Sequence, residues 1–247
     1  MDWLFIALIA LSFGSFLNLI IYRIPKNKSI ITPRSFCPNC NHKIAWYYNI
    51  PILSWIYLKG KCAYCNKPIS KQYPLIEIIS TFLVLIVYYK YGWSIQTIYI
   101  SSVFLLILAL ATIDFYFKAV PDSINLLALS VAILFNQDII QSLNDALIMM
   151  GVFAMLRFYT SYFFKKETLG EGDIILIGTI GAVLGVELSL FTIFLSSIIA
   201  LPFAYFEKYD SNQEAQGVPY IPFLGISFMI TQIFNYQIQL YIERLYG

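Results

Sequence analysis

The sequence predicts an all-α integral membrane protein with about eight transmembrane helices and a cytoplasmic four-cysteine loop after the first of them. Three observations carry that prediction. The 247 residues are 59% hydrophobic and 12% charged, with a mean hydropathy of +0.71. A soluble domain holds about 45–50% apolar and about 25% charged residues, so this chain lacks the polar surface to cover a water-soluble core. Its apolar residues also fall in long runs, several near the roughly 20 residues that a spanning helix needs. The third observation is charge placement. Arg23, Lys26, Lys28, Arg34, Lys43, Lys59, Lys61, Lys67 and Lys71, nine of sixteen basic residues, lie in a stretch from Arg23 to Ile76 that has no Asp or Glu. Basic loops stay on the cytoplasmic side, so this one is expected there, against anionic headgroups of the bilayer.

The first run, residues 3–22, lacks the basic start and the small-residue cleavage site of a secretory signal, and is expected to be a retained helix with its N-terminus outside. Gly14, Ser15 and Asn18 give it the small and polar groups of a helix packed against others. In the basic loop, Cys37-Pro-Asn-Cys40 and Cys62-Ala-Tyr-Cys65 are separated by 21 residues. That is close to the spacing of a four-cysteine zinc ribbon, and a reducing cytosol argues against disulfides. The alternative is two unrelated turns or a redox pair. His42 reads either as a replacement ligand or as a hydrogen-bonding residue of the first knuckle. Between the pairs, residues 45–55 are aromatic and apolar, fit for the bilayer interface or the helix bundle. Basic plus aromatic residues also suit nucleic acid, but in a multispan chain no nucleic-acid partner is expected.

Further apolar runs cover residues 74–89, 94–113, 120–135, 146–164, 174–186, 188–206 and 218–242. Alternation from an outside N-terminus puts Lys118, Lys165, Lys166 and Lys208 inside, and Lys90, Asp138, Asp145 and Glu187 outside. The chain then divides into residues 1–90, with the cysteine loop between two helices, and residues 91–247, a six-helix membrane domain. Arg157, within a span, is expected to snorkel or to pair with an acid.

Two acids stand at the edges of apolar runs: Asp114 closes one, and Asp173, in Gly170-Glu-Gly-Asp173, opens another. The same alternation sets both at the cytoplasmic face. They read as a shared acid–base site, because neighbouring carboxylates cannot both ionise readily: one polarises a carbonyl while the other takes a proton from water. Gly170 and Gly172 are expected to allow φ above zero and close approach to a substrate strand. The alternative makes each acid a helix end, with Asp173 as an N-cap and Asp114 facing water. Asp122 reads as the N-cap of the fourth span.

An ordered set of motifs makes the resemblance specific. It runs through Gly14–Pro25, Cys37-Pro-Asn-Cys40-Asn-His42, Trp46-Tyr47, Asn49-Ile-Pro51, Leu53-Ser-Trp55, Gly60-Lys-Cys62-Ala-Tyr-Cys65 and Tyr73-Pro-Leu-Ile-Glu77. It continues with Ile113-Asp114, Pro121-Asp122, Gly170-Glu-Gly-Asp173 and Pro219–Leu224. Over nearly its whole length the sequence resembles the bacterial type IV prepilin peptidases, leader peptidases and N-methyltransferases of the GxGD aspartic protease group. The resemblance implies a multi-pass protein of the bacterial inner membrane, with Asp114 and Asp173 as the catalytic pair. It implies prepilin or pseudopilin precursors as substrates, cut after a glycine at the cytoplasmic face. It further implies N-methylation with S-adenosylmethionine as donor, associated with the cysteine loop, where Gly60 and Glu77 are the candidate cofactor residues. Glu77 alternatively pairs with Lys71 or Arg23. Structural zinc on Cys37, Cys40, Cys62 and Cys65 completes the expectation.

The sequence departs from that pattern twice. Ile175 stands where the family usually has lysine, and Pro219-Tyr-Ile-Pro222-Phe-Leu lacks the family's glycine, which leaves substrate handling open. Two other functions compete: a leader peptidase without methyl transfer, and a polytopic transporter or assembly factor.

Overall fold

The computed structural model describes residues 2–165, 169–210 and 219–246. Lys166 and Val218 lie outside the described residues, as does the side chain of Lys208. The helices are α1 (Asp2–Arg23), α2 (Leu53–Tyr57), α3 (Gln72–Tyr91), α4 (Ile95–Phe117), α5 (Asp122–Leu134), α6 (Ile139–Phe164), α7 (Glu171–Asp210), α8 (Ile221–Ile233) and α9 (Asn235–Tyr246). Among the described residues the only β pairing is two isolated bridges, Phe36 with Lys43 and Lys61 with Pro68.

Among the described residues five helices are long and apolar enough to cross a membrane: α1, α3, α4, α6 and α7. α5 and α8 are apolar but shorter, at 13 residues each. The two runs expected at 174–186 and 188–206 form one helix with a break at Gly185, whose φ of 77° and ψ of 171° are not helical. Glycine tolerates that conformation without a Cβ clash. The run expected at 218–242 is not one helix. It divides at Phe234, because the sequence beyond turns polar at Asn235, Gln237, Gln239, Glu243 and Arg244.

The chain forms two compact units, Met1–Thr97 and Ile98–Gly247, with α4 running through the boundary. In the first unit α1 packs on α3 through the small and polar residues of its inner face. A Cβ on Gly14 would meet the Ser80 hydroxyl and come within 2.9 Å of the Glu77 Cα. Four residues on, the buried Asn18 amide donates to the Tyr73 carbonyl at 2.9 Å. Without a hydrophobic drive between helices in lipid, such close approach and polar ties hold a pair together.

In the second unit α4 is the axis, with Val103, Phe104, Ile107, Leu110 and Ile113 fully buried. α8 lies on it through a Phe104–Phe228 edge-to-face pair with centroids 5.4 Å apart. Gly225 sits where a Cβ would approach the Ile107 side chain to 3.0 Å. α7 packs on α6 at Gly178 and Gly181, where a Cβ would meet Met150 and the Asp145 carbonyl. Ahead of the Gly185 break, the Ala182 carbonyl accepts from Asn136 and Ser142, each at 2.8 Å. Arg157 pairs with Glu171 at 3.0 Å, one of the two outcomes expected for it.

Gly14→Ala forces overpacking of α1 on α3, at a cost of about 1–3 kcal/mol. Gly151→Ala, whose Cβ would meet nothing within 4 Å, is expected to cost nothing. Thermal unfolding of the two detergent-solubilised variants against wild type measures the difference.

Candidate functional site

α4 ends at Lys118, which takes a left-handed conformation and donates its backbone N–H to the Asp114 carbonyl at 2.8 Å. This αL closure fixes the last turn and with it the Asp114 side chain. Asp114 is 7% exposed, so it does not face water. Its Oδ2 accepts the N–H of Ile221, the first residue of α8, at 3.1 Å. The first amides of a helix have no partner inside it and carry partial positive charge, so α8 presents a donor to this carboxylate. The Lys118 ammonium acts on Asp114 as an opposite charge.

Asp173 occupies the third position of α7, not the N-cap, and its Oδ2 reaches back to the Gly170 N–H at 3.2 Å. That is one half of a capping box. Asp114 acts on Asp173 through space as a like charge. The two acids, 59 residues apart in sequence, lie in the same compact unit.

Neither Gly170 nor Gly172 has positive φ, contrary to expectation. Gly172 is needed for packing, since a Cβ there would lie 2.6 Å from the Val120 Cβ. Its carbonyl also accepts from the Asn125 amide at 2.8 Å. The start of α5 is thereby locked onto the glycine-acid turn. α5 itself has Pro121 as its N-cap, so Asp122 is a first-turn acid and not the cap.

The cysteines form two copies of one knuckle. The Cys37 amide donates to the His42 carbonyl and the Asn41 amide to the Cys37 carbonyl. The Cys62 amide pairs with Lys67 and the Asn66 amide with Cys62 in the same way. Asn41 and Asn66 both take positive φ, 55° and 57°. Asparagine is among the few side chains that enter this region readily, and the recurring Cys-x-x-Cys-Asn was the sequence signal for it.

The four Sγ atoms lie within 4.8 Å of one another, Cys37 to Cys65 at 3.9 Å. Tetrahedral zinc with Zn–S bonds of about 2.3 Å would set its sulfurs about 3.8 Å apart, so this donor set fits zinc. Disulfides, with sulfurs at about 2.05 Å, are absent among these cysteines. The amides of Cys65 and Tyr64 bring the Cys62 thiol down to about 7. For Cys65 the Lys67 amide pulls down, but burial and the other thiols outweigh it and leave about 11. A divalent cation would favour the thiolate form at Cys65, against which burial and the neighbouring thiols work. His42 is not in the cluster; its ring stacks on Tyr64 with centroids 3.7 Å apart.

In the same unit a cavity of about 640 Å³ opens between α1, the knuckles and the start of α3, with Glu77 on its wall. Gly60 does not line it. With φ of 68°, Gly60 lies under the Trp55 ring, where a Cβ would approach Cζ2 to 2.9 Å. Its role is to support Trp55 and Ile69, which do line the cavity.

Residues 8–91 match the family model of the bacterial peptidase A24 N-terminal domain, and residues 100–205 that of the type IV leader peptidase family. The chain belongs to the type IV leader peptidase family. Its relatives include proteins named prepilin leader peptidase/N-methyltransferase. The one from Vibrio cholerae is 30% identical over 91% of this chain and 93% of its own length. The one from Legionella pneumophila is 29% identical over 94% and 91%. A Myxococcus xanthus relative is 36% identical over 73% of this chain, which spans 55% of that protein. No solved structure gives a significant match.

Several residues that build this family member's site were not readable as such. Ser196 donates to the Ile193 carbonyl, so the Tyr220 hydroxyl donates to the Ser196 oxygen at 2.5 Å. Tyr220 is the N-cap residue of α8, so this bond pins the helix start that faces Asp114. Tyr220→Phe and Ser196→Ala are each expected to cost about 1 kcal/mol of stability. The double variant should lose no more than one of them, as residues sharing one bond do. Thermal unfolding of the three variants supplies the cycle.

Proposed function

We propose that the chain is a membrane aspartic endopeptidase that removes the basic leader of type IV prepilin or pseudopilin precursors after a glycine, at the cytoplasmic face, and then methylates the new N-terminal residue. The observation that carries the peptidase half is a buried Asp114 in the same unit as Asp173, each acid held by a backbone amide at a helix start. Of two such carboxyls, one in its protonated form donates to the scissile carbonyl while the other accepts a proton from the attacking water. The Ile221 and Gly170 amides keep each carboxyl oriented while protons move. Gly170 and Gly172 serve as the turn that sets Asp173, with Gly172 acting through its fit against Val120.

Methyl transfer is assigned to the first unit, supported by its cavity and by the names of the relatives. S-adenosylmethionine, when bound, supplies an activated methyl group. Glu77 belongs to that site directly and Gly60 through Trp55. Zinc on Cys37, Cys40, Cys62 and Cys65 would fix a loop too small to hold its own core. We assign eight spans to α1, α3, α4, α5, α6, the two halves of α7 and α8. Their orientation follows the basic loop, which places the inner membrane's cytoplasmic side at the cysteines and at both acids.

Asp114→Asn and Asp173→Asn should each lower cleavage of a prepilin by about 10²–10⁴-fold or more while the protein still accumulates in the membrane. Product analysis by mass spectrometry reads cleavage and the added methyl separately, and full cleavage by either variant refutes the shared site. Metal analysis of purified protein should give about one zinc per chain, lost with Cys37→Ser or Cys62→Ser. A folded, metal-free wild type would contradict it.

A further inference from the structure

Glu77 is 6% exposed. Its Oε2 accepts the Ile52 N–H at 2.8 Å, and the Ser15 hydroxyl is its other partner. Both donors are neutral. Of the two counter-ions expected for Glu77, Lys71 and Arg23, the second is held by backbone carbonyls. Its guanidinium donates to the Ser29 carbonyl at 2.8 Å and to the Pro33 carbonyl at 2.7 Å. Among the described residues no lysine, arginine or histidine pairs with Glu77. Buried charges are as a rule paired, because a lone one costs several kcal/mol in lost hydration.

The missing cation has a place to come from. Glu77 is the sole acid lining the cavity of about 640 Å³, whose wall also carries Arg23 and Lys67, neither of them paired with it. The volume is large enough for a nucleoside-sized ligand. Tyr48, Trp55 and Tyr73 line it as well, and aromatic faces attract cations. An anion with only neutral donors, on an aromatic wall, is a receptor for a compact positive group.

We infer that Glu77 is the counter-ion for a cationic group of the ligand in this cavity. The inference rests on the reading of the first unit as the methyl-transfer unit. In that reaction the S–CH3 bond of the sulfonium breaks and an N–CH3 bond forms. The sulfur keeps the electron pair as a neutral thioether, and the amine's proton leaves to solvent. Three groups qualify as the cation: the sulfonium of the donor, the ammonium of its amino-acid end, and the terminal ammonium of the acceptor peptide.

Calorimetry on the full chain in detergent, with S-adenosylmethionine and with its thioether product S-adenosylhomocysteine, separates them. If the sulfonium is held, Glu77→Gln weakens the sulfonium compound at least tenfold, leaves the thioether unchanged and erases the wild type's preference. If the donor's ammonium is held, both weaken alike. If the acceptor's ammonium is held, neither changes and the KM for a cleaved pilin peptide rises at least tenfold. Glu77→Asp, which keeps the charge, should retain the wild-type pattern and carries the test should Glu77→Gln not fold. Unchanged binding of both nucleosides together with an unchanged peptide KM overturns the proposal. A wild type that binds neither nucleoside and adds no methyl overturns the methyl-transfer reading itself, and the proposal with it.

Discussion

Three acids at the edges of apolar helices are each held by a backbone N–H, and much of the architecture exists to deliver those amides. Asp114 takes the amide of Ile221, 107 residues away; Glu77 takes that of Ile52, 25 residues away; Asp173 takes that of Gly170, in its own turn. A backbone donor suits this setting. It carries no net charge and cannot swing away, yet it offsets part of the hydration that a carboxylate loses near hydrocarbon.

Delivering an amide to 2.8–3.2 Å from a side chain requires backbones to approach closely, and small residues permit it. Gly225 lets α8 settle on α4, and Gly172 lets the start of α5 meet the start of α7. In the first unit, Gly14 brings α1 against α3 beside Glu77 itself. The knuckles act on the same principle by other means. Two Cys-x-x-Cys-Asn turns fix the ends of a loop whose middle presents Ile52, so a loop with few core contacts still sets a donor on a buried acid.

What the sequence made legible follows from this division. Side chains announce themselves: the apolar runs become helices, the cysteine pairs become a cluster, and Asp114 and Asp173 stand out because acids are scarce. Donors on the backbone leave no trace in residue types, so the Ile221 and Ile52 amides could not be read. Conformations set by tertiary contacts were also hidden. Gly170 and Gly172 carried the usual signal for positive φ, and packing against Val120 turned out to be the reason for the second of them. The end of α8 at Phe234 was obscured because aromatic and isoleucine residues continue past it, and only the polar residues interleaved with them marked a change of environment.

In the segment from Pro219 to Leu224 the expected glycine is absent, and a backbone donor is again what matters. Ile221 has no positive φ and its side chain is fully buried, so the position does not need glycine's freedom in this chain. What it contributes to Asp114 is an N–H, which every residue but proline provides. Pro222, one step on, lies where a helix has no use for its missing donor, and it stiffens the start of α8 without depriving the acid. Tyr220 then adds a hydroxyl that ties this start to Ser196 on α7. Since α7 also carries Asp173, the Tyr220 hydroxyl, set against Ser196 and Ser197, joins the donor to one acid to the helix bearing the other. A substitution that looks like damage to a motif thus leaves intact the one atom of that residue on which the acid depends.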